Sequence, residues 1–132
     1  MSESDIILTV CSVINSSNFK TPRKRISINP NNIVTKSRRT EFIYARRLAS
    51  VLLKHGQKKS FNKVGNSLGT DHATVLWSIR QFRDISEVET LPLEMLRAAL
   101  DRLNTPCSVR SDIIINLWGT DNYTKYSKIL IK

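Results

Sequence analysis

Acidic side chains are scarce in this sequence. Eleven Asp and Glu stand against 21 Lys and Arg, giving a formal charge of +10 and an isoelectric point of about 10.1. That imbalance favours a polyanionic partner, with nucleic acid first and an anionic membrane surface second. Cysteine is scarcer still. Cys11 and Cys107 lie far apart, and neither sits in a CxxC or at metal-ligand spacing from a histidine. No metal site is expected, and the thiols should be reduced, with one or both buried as small hydrophobes. Glycine occurs only at 56, 65, 69 and 119, never followed by Lys, so there is no phosphate-binding G-x-x-x-x-G-K-[ST] loop and no nucleotide or other cofactor is expected. No apolar run approaches the roughly 18–20 residues that cross a bilayer, and the opening "MSESDIILTV" lacks the basic start of a signal peptide. A cytoplasmic protein without a membrane span is the expectation.

What is present is the composition of an ordinary soluble domain: 132 residues, 40% hydrophobic and 24% charged. That length suits one domain with an appended segment. There is no internal repeat or low-complexity block.

Asp5 followed by "IILTVCSVI" supplies a capping residue and apolar positions at Ile6, Val10, Val13 and Ile14. This spacing predicts a helix, with a strand left open by the β-branched content. Residues 15–39 then carry two prolines, many Asn and Ser, and about a third of the basic residues. They read as a basic loop with a short helix around 30–34. Thr40 is the expected cap of the next helix, "EFIYARRLASVLLK", whose Phe42, Ala45, Leu48, Ala49 and Leu52 share a face and which ends at His55-Gly56. The expected place of His55 is at a helix end, near the C-terminal dipole. Ser60 caps "FNKVGNSL", Gly69 stops it, and Asp71 caps "HATVLWSIRQF". A longer helix followed by two short ones around a Gly-containing turn has the outline of a helix-turn-helix, although a plain helical hairpin has the same layout. Beyond residue 84, Leu93, Leu96, Leu100 and Leu103 form an amphipathic row. "SDIIINLW" reads as a helix or buried strand, and the closing "YTKYSKILIK" is short, basic and apolar by turns.

At about 100° per residue, Val75, Ile79 and Phe82 of the 71–82 helix fall together as a core stripe. Ala73, Thr74, Trp77, Arg80 and Gln81 lie opposite. Asp71 and His72 sit where the helix is entered, the end a recognition helix presents to bases. Asp accepts from a cytosine amino group, His bonds a base edge, and methyl-bearing side chains meet the thymine methyl. Simple capping accounts equally for Asp71, and a solvated or packed side chain for His72. Trp77 is a large apolar group on the outward side, so it either packs under another segment or belongs to an interface.

"SFNKVGNSLGTDHATVLWSIRQF", preceded by "SRRTEFIYARRLASVLLK", resembles the C-terminal DNA-binding domain of the bacterial replication initiator DnaA, whose signature runs roughly S-[LF]-x-x-[IV]-G-x-x-F-G-x-R-D-H-[TS]-T-V. The resemblance covers about residues 38–82. It implies base contacts in the major groove from Asp71, His72, Ala73 and Thr74, with Trp77 beside them, and an arginine, Arg38, in the adjacent minor groove. Phosphate contacts are implied for Arg46 and Lys54. Lys36, Arg39, Lys58, Lys59, Ser60 and Arg80 are expected on or near phosphates. Three departures stand on the reading edge. The family's G-x-R-D-H is shortened here to Gly69-Thr70-Asp71-His72, Ala73 replaces a hydroxyl-bearing residue, and Trp77 stands where the family often has His.

The expected fold is all-α: a small helical bundle with a helix-turn-helix over residues 1–84 and a helical C-terminal extension over 85–132, without the family's ATPase domain. The expected function is sequence-specific binding of double-stranded DNA in replication initiation or its regulation. Replication proteins are a second class of partner, and a bacterial or phage-infected cytoplasm is the setting. A protein-interaction or structural component with an inherited helix-turn-helix, or a transcription regulator, is the alternative. Catalysis is not expected, because Asp71 and His72 are adjacent and no nucleophile is marked by spacing.

Overall fold

The computed structural model describes residues 2–17, 27–33 and 39–131, and every regular element among them is helical. Ser2, not Asp5, is the N-cap of α1 (Glu3–Ser16). Its hydroxyl accepts from the Asp5 N–H at 3.1 Å while the Asp5 carboxylate accepts from the Ser2 N–H at 3.3 Å, closing a capping box. The expected Ile6, Val10, Val13 and Ile14 of α1 are buried at helical spacing with Cys11 among them, while Leu8 is exposed. The expected short helix near residue 30 is instead a turn over 30–33; Val34 lies outside the described residues. Asparagines compete with helix here by binding backbone locally. The Asn29 side chain accepts from the N–H groups of Asn31 and Asn32, and Asn32 accepts from the Asn29 N–H. Asn15 ties this turn to α1 through a reciprocal pair with the backbone of Ile28, at 2.8 and 2.9 Å.

Helix α2 (Thr40–Val51) has Arg39, not Thr40, as its N-cap. The Arg39 carbonyl already accepts the first helical bond, from Ile43 N–H at 3.1 Å, which puts Thr40 inside the helix. The helix runs on as a π-turn, Leu52–Gly56, closed by Gln57 N–H to Leu52 O at 3.2 Å. This wider turn keeps Val51, Leu52 and Leu53 buried in succession. Next come α3 (Phe61–Leu68), α4 (His72–Ser86), α5 (Leu91–Arg102), α6 (Cys107–Trp118) and, after a 3-10 turn at Thr120–Asn122, α7 (Tyr123–Leu130).

Helix α4 packs across α2 and α3, α1 packs on α2 and α5, and α6 and α7 pack on each other, with α6 also against the π-turn. One hydrophobic cluster joins them, running from Ile6 and Leu48 through Val75 and Leu96 to Ile113 and Leu130. Leu93, Leu96 and Leu100 of α5 are part of that core, and Leu103 packs against it.

The last three helices are fastened by polar contacts from arginines and one tryptophan. Arg110, mostly buried, donates to the carbonyls of Thr105 and Leu130 and to Asp101, at 2.9, 2.7 and 2.9 Å. Arg97 donates to the Ile129 carbonyl at 2.6 Å, so two cations hold the carbonyl end of α7, the end that favours positive charge. Trp118 stacks on Tyr126 with ring centroids 4.0 Å apart and donates its indole N–H to the Ser86 hydroxyl at 3.2 Å. Replacing Arg110 with Met leaves two carbonyls without their charged donor. The expected loss is about 2–3 kcal/mol, seen in urea unfolding as a lower midpoint at unchanged slope; a shift below about 0.5 kcal/mol contradicts the assignment.

Candidate nucleic-acid interface

Charge is unevenly placed along the chain. Glu41 and Asp71 are the only acids between Lys20 and Arg83, a stretch holding 15 of the 21 basic residues. Glu41 is buried and pairs with Arg39 at 3.5 Å, so it offers little negative charge to the surface.

Within this stretch α2, α3 and α4 form the helix-turn-helix. The Ser60 hydroxyl caps α3 by accepting from the Lys63 N–H at 3.2 Å. Gly69 ends α3 at φ 67°, a left-handed conformation that glycine reaches without a Cβ penalty. Thr70 N–H then donates to Gly65 O at 2.8 Å. The chain passes so close that a Cβ on Gly65 would lie 2.6 Å from the Thr70 carbonyl oxygen. The shortened Gly69-Thr70-Asp71 segment thus closes the turn with Gly65 acting as a second, less obvious, requirement for glycine.

Asp71 caps α4: its Oδ1 accepts from the Thr74 N–H at 2.7 Å. That bond holds its carboxyl below the usual carboxylate range, which keeps it an acceptor at neutral pH. Behind it, Val75, Ile79 and Phe82 are buried, as the 100° stepping requires. Outward, His72, Ala73, Thr74, Trp77 and Arg80 are exposed and Gln81 is half-buried. The first turn of α4 therefore presents its polar and methyl groups to solvent together.

The remaining expected contact residues fall into three groups. Lys36 and Arg38 lie outside the described residues. Arg39 caps α2 and half-buried Arg46 lies at its middle, where burial, then the neighbouring Arg47 charge, lowers the Arg46 pKa. Lys54, Lys58 and Lys59 sit on or just beyond the π-turn. Lys54 lies over the Phe61 ring, 4.8 Å from its centroid. Lys58, in the left-handed region at φ 56°, pairs with Asp112 of α6 at 3.5 Å, and Lys59 pairs with Glu3 of α1 at 3.1 Å. These two pairings were not visible in the sequence because their acids are remote along the chain. The exposed Lys58–Asp112 pair contributes about 0–1 kcal/mol, so a phosphate can displace that carboxylate at small cost, whereas Lys59–Glu3 is partly buried.

One residue absent from the expected set stands beside the exposed face. Arg47 of α2 places its guanidinium 5.9 Å from the Trp77 ring centroid, within cation–π range. Two arginines in succession in the sequence left open which of them faces outward.

His55 stands at the expected helix end, in the last turn before Gly56, but not as a stabilised cation. Burial, then the adjacent Lys54 charge, push its pKa down from 6.5 to about 4, outweighing any dipole effect. Among the described residues no group of three or more His, Cys, Asp or Glu is placed to hold a metal, and no helix is long and apolar enough to cross a membrane.

Residues 21–81 match the family model described as the bacterial dnaA protein helix-turn-helix. Comparison with curated proteins and with solved structures found no match.

Two outcomes follow from this geometry. Gly65→Ala forces the Thr70 carbonyl to move, at a cost of about 1–3 kcal/mol, measurable by thermal unfolding; an unchanged melting temperature contradicts the close approach. His55 stays neutral in the folded chain but protonates near 6.5 when unfolded, so stability is full above about pH 6.5 and falls as pH drops toward 4. His55→Gln is expected to flatten that slope in denaturant titrations at several pH values, and an unaltered slope rejects the account.

Proposed function

We propose, from the premise that residues 21–81 are a DnaA-type helix-turn-helix, that this protein binds double-stranded DNA in a sequence-specific manner by placing α4 in the major groove. The observation that carries this reading is the two-sided α4: a buried Val75, Ile79 and Phe82 stripe behind and an exposed Asp71, His72, Ala73, Thr74 and Trp77 edge in front. The edge lies within the part of the chain that concentrates positive charge. Phosphate contacts set affinity and base contacts set sequence. Arg80, Arg39, Arg46, Lys54, Lys58, Lys59 and Ser60 take the first role, with Lys36 and Arg38 from the preceding segment, Arg38 in the minor groove. Asp71, His72, Ala73 and Thr74 take the second. Ala73 contributes a methyl but no hydrogen bond, which relaxes choice at the base pair it faces.

The biological setting we propose is replication initiation or its regulation, the chain acting as a DNA-docking module that recruits replication proteins or competes for an initiator's sites. Residues 1–84 are read as that module. Residues 85–132 are read as an extension that shares its core, since the apolar cluster spans both. The reading as an interaction component through α5 loses its main surface, because the leucine row of α5 is taken up by the core.

Asp71→Asn separates capping from reading, since both residues cap well but Asn adds an N–H donor. Unfolding is expected to stay near wild type, while preference at one base pair changes about tenfold or more in fluorescence anisotropy across duplexes differing at single positions. Arg80→Ala is expected to weaken every duplex alike and to lower the salt dependence by about one ion. If both variants lose affinity equally on every sequence, the readout by Asp71 is wrong.

A further inference from the structure

Arg47 and Trp77 each carry a cost that the folded chain leaves unanswered. The Arg47 side chain is half-buried, and its Nε is cut off from solvent without a hydrogen-bond partner. No carboxylate among the described residues pairs with it within 4.0 Å. The acid whose field reaches it, Glu89, accepts instead from the Tyr44 hydroxyl at 3.3 Å. A partly desolvated guanidinium with an unsatisfied Nε, and with its nearest carboxylate beyond ion-pair distance, is under-compensated. Trp77, 56% exposed, adds nothing to the core and leaves an indole face in water beneath that cation. Its position explains the arrangement. Trp77 is one turn above Ala73 on the outward side of α4, with Arg80 three residues further along the same face.

Resting on the duplex-binding reading above, we propose that Arg47, shelved on the Trp77 ring, is a phosphate clamp that grips a phosphodiester of the duplex backbone at the wall of the groove α4 enters. A phosphodiester supplies a negative charge in direct contact and takes hydrogen bonds from the planar guanidinium fork, while the indole beneath holds that fork in orientation. Arg47 joins Arg46 in the middle of α2 as part of the footprint. It adds affinity without sequence information, and Trp77 acts in it as a positioning residue.

The test uses the full chain with Arg47→Ala, Arg47→Lys, Trp77→Ala, Trp77→Phe and the Arg47→Ala/Trp77→Ala pair, in anisotropy titrations over a salt series with several duplexes. Arg47→Ala is expected to weaken all duplexes by a common factor and to reduce the salt slope by about 0.9. Arg47→Lys keeps the charge and therefore the slope, but loses part of the affinity because an ammonium cannot reproduce the planar fork. Trp77→Phe preserves a ring and most of the affinity; Trp77→Ala does not, and the double variant binds no more weakly than Arg47→Ala alone. Emission from exposed Trp77 is expected to change on adding duplex to the wild type and less so in Arg47→Lys, with buried Trp118 as the constant background. The clamp is overturned if the wild type binds duplex with a steep salt slope while every Arg47 variant matches it in affinity and slope, or if Arg47→Ala alters sequence preference instead of overall affinity. A wild type that binds no duplex at low salt overturns the duplex-binding reading and the clamp with it.

Discussion

The rotation of α4 about its own axis is the constraint on which the candidate interface depends. Burying Val75, Ile79 and Phe82 against α2 and α3 contributes about 1.5–3 kcal/mol per side chain. The exposed ion pairs nearby contribute about 0–1 kcal/mol each. The apolar stripe therefore decides which way α4 faces, and the polar residues point outward because the other side is already taken. Axial position is set separately. Gly65 lets Thr70 approach to where no side chain fits, and Asp71 fixes the start of the helix through Thr74. Rotation and start together determine where Asp71, His72 and Thr74 stand.

Behind this reading edge the C-terminal helices brace the far end of α4. Ser86, at its last turn, is buried and accepts the indole N–H of Trp118, which in turn stacks on Tyr126 of α7. Arg97 and Arg110 hold the end of α7 in place. The extension also answers the basic stretch electrostatically, since Asp112 reaches Lys58 from α6. A segment that looked in sequence like an unrelated addition is thus continuous with the core that orients α4.

Much of the architecture was legible where the determining interaction is local. Ser60 and Asp71 cap as their residue types and spacing predict, Gly69 takes the left-handed stop, and the α4 and α5 stripes bury the expected side chains. Errors came where backbone choice is shared between neighbours. Ser2 displaces Asp5 as a cap because Asp5 serves at the third helical position of the same box, and Arg39 displaces Thr40 because its carbonyl begins the helix. The 30–33 segment is a turn and not the expected helix because asparagine side chains replace helical hydrogen bonds with local ones. Long-range pairings had no local signal at all: Lys59 with Glu3, Lys58 with Asp112, and Arg47 over Trp77 all depend on which helices meet. Trp77 stood out in sequence as an outward tryptophan, yet only the packing of α2 beside α4 shows what lies over it.

On the proposed reading, the shortened turn and Ala73 alter the groups offered to bases, while the apolar stripe and the Asp71 cap hold the edge. On that proposal the protein keeps duplex binding while shifting its target. Selection of bound duplexes from a randomised library by the full chain tests that claim most directly. The account predicts enrichment of one short motif that survives rising salt. Retention of duplexes with no enriched sequence, at any salt concentration that still permits binding, contradicts it.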